Sequence, residues 1–209
     1  MTDDDARIRG YEPGDLDDLY RICLLTADGG TDGTRLYREP QLPGEIYAAP
    51  YAIFQPSLAF VAEDHSGVGG YIVAALDTTA FDDRLERDWW PALRRRYPEP
   101  SAQEAAALSQ SEQYAIHNIH HPWHTDANLT RAYPSHLHIN LLPRLQGRGL
   151  GRRLVDTLVA RLREQGSPGL HLMVGRGNER APEFYRHVGF AQLPSADISI
   201  FTMDLARHT

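Results

Sequence analysis

The tightest constraint on how this chain can fold lies at residues 145–154, LQGRGLGRRL, where glycines stand at every second position with arginines between and after them. Upstream, SHLHINLLP has the pattern of a strand. Downstream, GRRLVDTLVARLREQG places Leu150, Leu154, Leu158 and Leu162 four apart, with Val155 and Val159 beside them. That is a wide apolar stripe suited to packing on a sheet. GLHLMVG then reads as a buried strand. Strand, glycine loop, helix and strand over 136–174 form the signature of a parallel crossover, which makes the fold class α/β.

Three known uses of such a loop compete. A dinucleotide fingerprint needs a further glycine where Arg152 stands, and a nucleotide P-loop needs a Gly-Lys-Ser/Thr triplet that this chain lacks. What remains is Gln146-x-x-Gly149-x-Gly151 at a helix start, where unpaired amides and the helix dipole favour an anion. One helix terminus supplies only ~0.3–2 kcal/mol. A polyanion such as a pyrophosphate collects several such bonds at once. Arg144, Arg148, Arg152 and Arg153 add positive charge at its rim.

The rest of the chain sets limits. With 209 residues and 42% hydrophobic content it can bury a core, and it reads as one domain over 1–209. A net charge of −7 argues against generic nucleic-acid or anionic-membrane binding. No apolar run approaches the ~18 residues of a membrane span. The start, MTDDDARIRG, has no secretory pattern, and Cys23 is alone, so a cytoplasmic setting is expected.

ARIRGYEP reads as a strand, followed by a helix DLDDLYRICLLT capped by Asp15. Residues 27–56 look irregular with one short helix. SLAFVAED and VGGYIVAALD form a hairpin about His65-Ser66-Gly67. A long, largely helical insertion spans about 78–134 and ends in the histidine-rich IHNIHHPWHTDANL. After the crossover come a short helix, APEFYRHVG, stopped by Gly189, and a last strand, ISIFTMDL.

LLPRLQGRGLGRRL resembles the coenzyme A-binding motif of the GCN5-related N-acetyltransferases, with its Gln/Arg-x-x-Gly-x-Gly/Ala pattern. The second half of that signature follows in order: GLHLMVG, Asn178, then ERAPEFYRHVGF. The resemblance implies the GNAT fold: a mixed, mostly antiparallel sheet splayed at its middle and flanked by helices, here with the insertion before the fourth strand. It implies acetyl-CoA as co-substrate, held by Leu141, Leu142, Gln146, Gly147, Arg148, Gly149, Leu150, Gly151, Arg152, Asn178 and Tyr185. CLLTADGGTDGT, FVAEDHSGVGGYIVAALDTTAF and ERDWWPALRRRYPEP further resemble the acetyltransferase-like C-terminal domain of the animal O-GlcNAcases and its free-standing bacterial relatives. In the animal domain the glycine loop is eroded; here it is intact, and no glycosidase portion is present in this chain.

Catalytic roles follow from the resemblance and from chemistry. Tyr185 stands where the family places the tyrosine that protonates the departing CoA thiolate. Its plain alternative is a core tyrosine. Asn178 suits the pantetheine arm or a helix cap. A base must take the amine's proton. Asp77, at the end of YIVAALD, is preferred over His138, which lies among the alternating His136, His138 and Asn140. Asp77 has an alternative as a cap, and the histidines as polar strand residues. The Leu141 N–H is expected to meet the thioester oxygen. His117, His120, His121 and His124 have near-helical spacing, but no cysteine accompanies them and Pro122 breaks the helix, so a substrate-side loop is expected rather than a metal site. Trp89-Trp90 reads as a hydrophobic anchor of the insertion rather than a binding platform. The leading reading is a direct acetyl transfer to an amine, either a protein lysine or a small amine. The rivals are a non-catalytic acetyl-CoA-binding module and a longer-chain acyltransferase.

Overall fold

The structure, a computed structural model, describes residues 6–175, 177–195 and 198–206; the acidic start at 1–5 lies outside them. Strand β1 (Arg7–Gly10) leads to α1 (Leu16–Leu24), α2 (Leu42–Tyr47) and α3 (Ala49–Phe54), then to the hairpin β2 (Ala59–Asp64) and β3 (Gly67–Ala75). The insertion folds as α4 (Thr78–Asp88), α5 (Trp90–Arg96), α6 (Ala102–Ala105), α7 (Gln110–His120) and α8 (Ala127–Ala132). Then come β4 (Ser135–Leu141), α9 (Leu150–Glu164), β5 (Gly169–Val174), α10 (Ala181–His187), β6 (Ala191–Leu193) and β7 (Ser199–Asp204).

The strands form one sheet of order β1-β2-β3-β4-β5-β7-β6, antiparallel except for β4–β5. That is the mixed, mostly antiparallel α/β architecture expected. The leucine and valine stripe of α9 is wholly buried, against Ile72, Ala74 and Leu137 on one face of the sheet. Strand alternation sends Tyr71 and Val73 to the other face, where they pack with α1, α2 and the insertion through Phe81, Trp90, Ile116 and Ile119. Trp90 is thus an anchor, and Trp89 donates its indole N–H to the Glu45 carbonyl at 2.9 Å. No described helix is long and apolar enough to cross a membrane.

Several local expectations change. Asp15 does not cap α1 with its side chain; its carboxylate grips Arg9 at 2.7 Å through both oxygens and accepts the Glu12 N–H. The stretch at 27–56 holds two short helices rather than one. Strand β6 carries no sequence signal, being only three residues long and mostly exposed.

Candidate active site

β4 ends at Leu141, and after a tight turn the chain enters the glycine loop. Gly147 and Gly149 adopt φ of 71° and 72°, the left-handed region that strains residues with a Cβ. No atom lies within 4 Å of where a Cβ would stand at either position, so the outer side of the loop is open. Gly149 starts α9 with no capping side chain. The first amide of α9 to find a helical carbonyl is that of Arg153, bonded to Gly149. The amides of Leu150, Gly151 and Arg152 thus remain for a ligand. Gly151 also has a packing task. A Cβ there would stand 3.0 Å from the Phe184 ring, so this glycine makes room for α10. The Leu150 side chain is buried in the core, leaving only its backbone to serve.

The arginines are engaged within the chain. Arg144 and Arg148 approach Asp64 at 3.3 and 3.9 Å, Arg152 pairs with Asp156 at 3.6 Å, and Arg153 donates to the Ala6 carbonyl.

The parallel pair β4–β5 is joined only at Ser135–Leu170 and His136–His171; beyond that the strands separate. Antiparallel pairing makes the exposed edge predictable. Leu142 donates to the Gly69 carbonyl, which fixes residues 142, 140 and 138 as those bonded to β3. The backbone groups of Ile139 and Leu141 therefore face the split. The Leu141 carbonyl is met there by Gln146 Nε2 at 2.8 Å, while its N–H points into the opening. Leu142 offers no free backbone group, because its carbonyl accepts from Leu145.

The side chains of His136, His138 and Asn140 lie on the opposite face from α9. A cleft of about 190 Å³ there is lined by Cys23, Thr26, Ala27, Tyr37, Pro43, Tyr47, His138 and Asn140. Behind it runs a hydrogen-bonded chain whose protons can be assigned by donor count. Thr78 Oγ1 is 2.7 Å from the Pro134 carbonyl, so its hydroxyl proton lies between the two oxygens. It must then accept from His136 Nδ1–H at 2.8 Å. Burial pushes His136 well below the ordinary imidazole range, so the ring is neutral and its Nε2 accepts from the Tyr51 hydroxyl at 2.8 Å. With that proton committed, Tyr51 accepts from His138 Nε2–H at 3.1 Å. Burial also pushes His138 down to about 4, so it too is neutral, and its Nδ1 carries a lone pair with no hydrogen-bond partner among the described residues. Asn140 Nδ2 donates to Tyr71 Oη at 2.7 Å, and Tyr71 neighbours the Cys23 thiol. Burial pushes that thiol up to about 11, which keeps it protonated at neutral pH.

Asp77 is placed elsewhere. It lies beyond Ala75, which pairs with His136 at the joined end of β4–β5, and its carboxylate accepts the Ala80 N–H at 2.9 Å as the cap of α4. Asp77 thus takes its capping alternative, because strand length carries it past the joined end of the split, whereas His138 lies along the open part. Asn178 also caps, accepting the Ala181 N–H at 3.1 Å, while its Nδ2 faces Gly30 of the α1–α2 loop. That loop closes over the β5–α10 turn: a Cβ on Gly29 would stand 2.7 Å from the Gly177 carbonyl. Tyr185 is buried among Phe184, Phe190 and Phe201, and its hydroxyl bonds no other described residue. Burial pushes its phenol upward, so it stays a protonated hydroxyl rather than a phenolate. The histidine-rich segment does not act as one group: His120 bonds the Tyr97 carbonyl and His121 bonds Glu99. Tyr51 and Thr78 were not singled out from the sequence. The alternation of His136 and His138 signals a polar strand face but not which neighbours complete it.

A family model for acetyltransferases of the GNAT family matches residues 35–190. The chain belongs to the GNAT family. This GNAT chain is 24% identical over 182 residues to the protein O-GlcNAcase of Rattus norvegicus, covering 87% of the chain but only 20% of that relative's length. Among solved structures it is similar to SsHAT, with 33% identity, a TM-score of 0.87 and coverage of 97% of this chain and 100% of that one. A putative acetyltransferase from Salmonella typhimurium, solved with its cofactor acetyl-CoA, shares the GNAT fold at 15% identity and a TM-score of 0.56, with coverage of 97% and 95%.

Proposed function

We propose that this chain transfers an acetyl group from acetyl-CoA directly to an amine, with no covalent enzyme intermediate. One observation carries the reading: the open C-terminal half of β4 bears the Leu141 N–H and His138, whose Nδ1 has no partner among the described residues, and it leads directly into the glycine loop with its open amides. The fit to acetyl-CoA rests on the open left-handed glycines and on the backbone groups of Ile139 and Leu141 facing the split. The amides from Gly147 to Arg152 would hold the pyrophosphate, with Arg148 and Arg152 at its edge. Leu141 and Asn178 would hold the pantetheine arm.

Acetyl-CoA supplies an activated acyl group when bound. The residues of the chain do the rest. The Leu141 N–H donates to the thioester oxygen as negative charge develops there. His138 Nδ1 accepts the proton that the amine nitrogen sheds on bonding to the acetyl carbon. Tyr185 Oη–H gives a proton to the departing sulfur. Tyr51, His136 and Thr78 position His138 by fixing which of its nitrogens carries hydrogen. An imidazole held near 4 is too weak a base to deprotonate an alkylammonium in advance. Among the described residues the cleft lining contains no carboxylate to hold such a cation. The acceptor therefore enters as the neutral amine.

The test is acetyl-CoA titration followed by free-thiol release with a panel of amines. His138→Gln and Tyr185→Phe should bind acetyl-CoA almost as the parent does, since one neutral hydrogen bond is worth ~0.5–1.5 kcal/mol. Turnover should fall by ~10²–10⁴-fold in each. Acetyl-CoA binding with no thiol release for any amine would instead make the chain a non-catalytic binding module.

A further inference from the structure

On the outer side of the insertion, three exposed side chains offer metal-ligating atoms within 4.8 Å of one another: Glu99, His117 and His121. His117 and His121 are four residues apart at the C-terminal end of α7, so their rings lie over one another on one face, with centroids 4.7 Å apart. Glu99 comes from the segment between α5 and α6 and reaches His121 Nε2 at 2.9 Å. This segment and the helix α5 before it are already fixed against α7 by two other bonds. His120 Nε2 meets the Tyr97 carbonyl at 2.8 Å, and Arg94 Nε donates to the Ile119 carbonyl at 3.0 Å. The inner face of α7 is locked in the core by Ala115, Ile116 and Ile119. A cavity of about 440 Å³ adjoins the cluster, and Glu99 and His117 both belong to its wall.

We propose that Glu99, His117 and His121 form a binding site for a divalent transition-metal ion of the zinc class. Two imidazoles and one carboxylate are a borderline nitrogen–oxygen set that suits Zn²⁺, and three protein ligands leave a fourth position for water on the cavity side. All three side chains are exposed, so small rotamer changes bring their ligand atoms to coordinating distance. Coordination through His121 Nε2 displaces the hydrogen shared with Glu99, which moves to Nδ1 of a neutral ring or, from a doubly protonated ring, is released to solvent. The ion clips the α5–α6 segment to α7 by ligands from both. Neither the glycine loop nor the cleft at His138 contributes a ligand, so the site is independent of acetyl transfer.

The experiment is calorimetric titration of the chelator-treated full chain with zinc sulfate, paired with acetyl-CoA titration of every variant. One ion per chain is expected, with affinity falling as acid protonates the ligand imidazoles. His117→Ala and His121→Ala should each weaken binding by more than the ~10–100-fold typical for loss of an outer-shell partner. Glu99→Gln should weaken it as well. His124→Ala, beside the cluster in sequence but absent from it, should bind zinc as the parent does. Unchanged acetyl-CoA affinity in the histidine variants would show that they are folded. Absence of stoichiometric zinc binding, or binding that survives both His117→Ala and His121→Ala, would overturn the site.

Discussion

His138 shows how a single residue's chemistry is set by groups it does not touch. Its nitrogen without a partner among the described residues is Nδ1 because a threonine hydroxyl, three hydrogen bonds away along the chain, has spent its proton on the Pro134 carbonyl. Replacing Tyr51 with Phe deletes the acceptor for His138 Nε2–H and frees both tautomers. Turnover should drop while acetyl-CoA affinity holds. The acid limb of kcat/KM, expected near pH 4 for His138 in the parent, should move. Measured pH–rate profiles of the two proteins check this, and superimposable profiles would remove Tyr51 from the site. Asp77 shows the opposite lesson. Its sequence position at a strand end is compatible with a base or a cap, and only the register, Ala75 opposite His136, reveals which end of the split it occupies.

At the level of elements, the three glycines of the loop divide into two kinds. Gly149 needs its positive φ, and Gly151 needs the absence of a side chain facing Phe184. Gly149→Val should therefore disturb the helix start and its free amides, abolishing acetyl-CoA binding, which calorimetry would read directly. Gly151→Val should act as a wedge between α9 and α10. It should lower the melting temperature, because overpacking costs ~1–3 kcal/mol. If the two variants behaved alike, the division of labour would fail. The strand–loop–helix–strand unit was legible because its signals are local: alternation, glycine spacing and a leucine stripe all act within a few residues. The paired helices α2 and α3 were not, since Pro43 and Pro50 at their starts read as loop formers, and burial against α1 and the sheet is what holds them helical. The cleft was legible only on its β4 side. Its other wall, Thr26, Ala27, Tyr37 and Tyr47, is assembled from segments over ninety residues away in sequence.

For the molecule as a whole, the interior histidines make stability a function of pH. His136, His138 and His171 are all held below their ordinary value of 6.5, burial being the first cause in each. The unfolded chain thus binds more protons than the folded one as pH falls below about 6.5. Stability from these groups is fully present above that value. It is lost as pH falls towards 4, where His138 itself becomes charged in the folded chain. Melting temperatures across pH 4–7 should fall steeply on the acid side, and His138→Gln should flatten part of that slope. A melting temperature that stayed level between pH 7 and 5 would contradict the neutral assignment.

The two-rung joint between β4 and β5 has one more consequence. A sheet sewn together at only one end of a central pair behaves mechanically like a clothes peg: its two halves are hinged at Ser135–Leu170 and His136–His171 and otherwise rely on helices to stay together. Whatever bonds the Ile139 and Leu141 edge closes the jaws, and closure should be felt far from the point of contact. Amide exchange at Ile139 and Leu141 should slow on adding acetyl-CoA, and so should exchange along β5 and β7 on the other side of the split. The whole chain should then melt later by RT ln(1 + [L]/Kd), about 2.7 kcal/mol at a hundredfold excess over Kd.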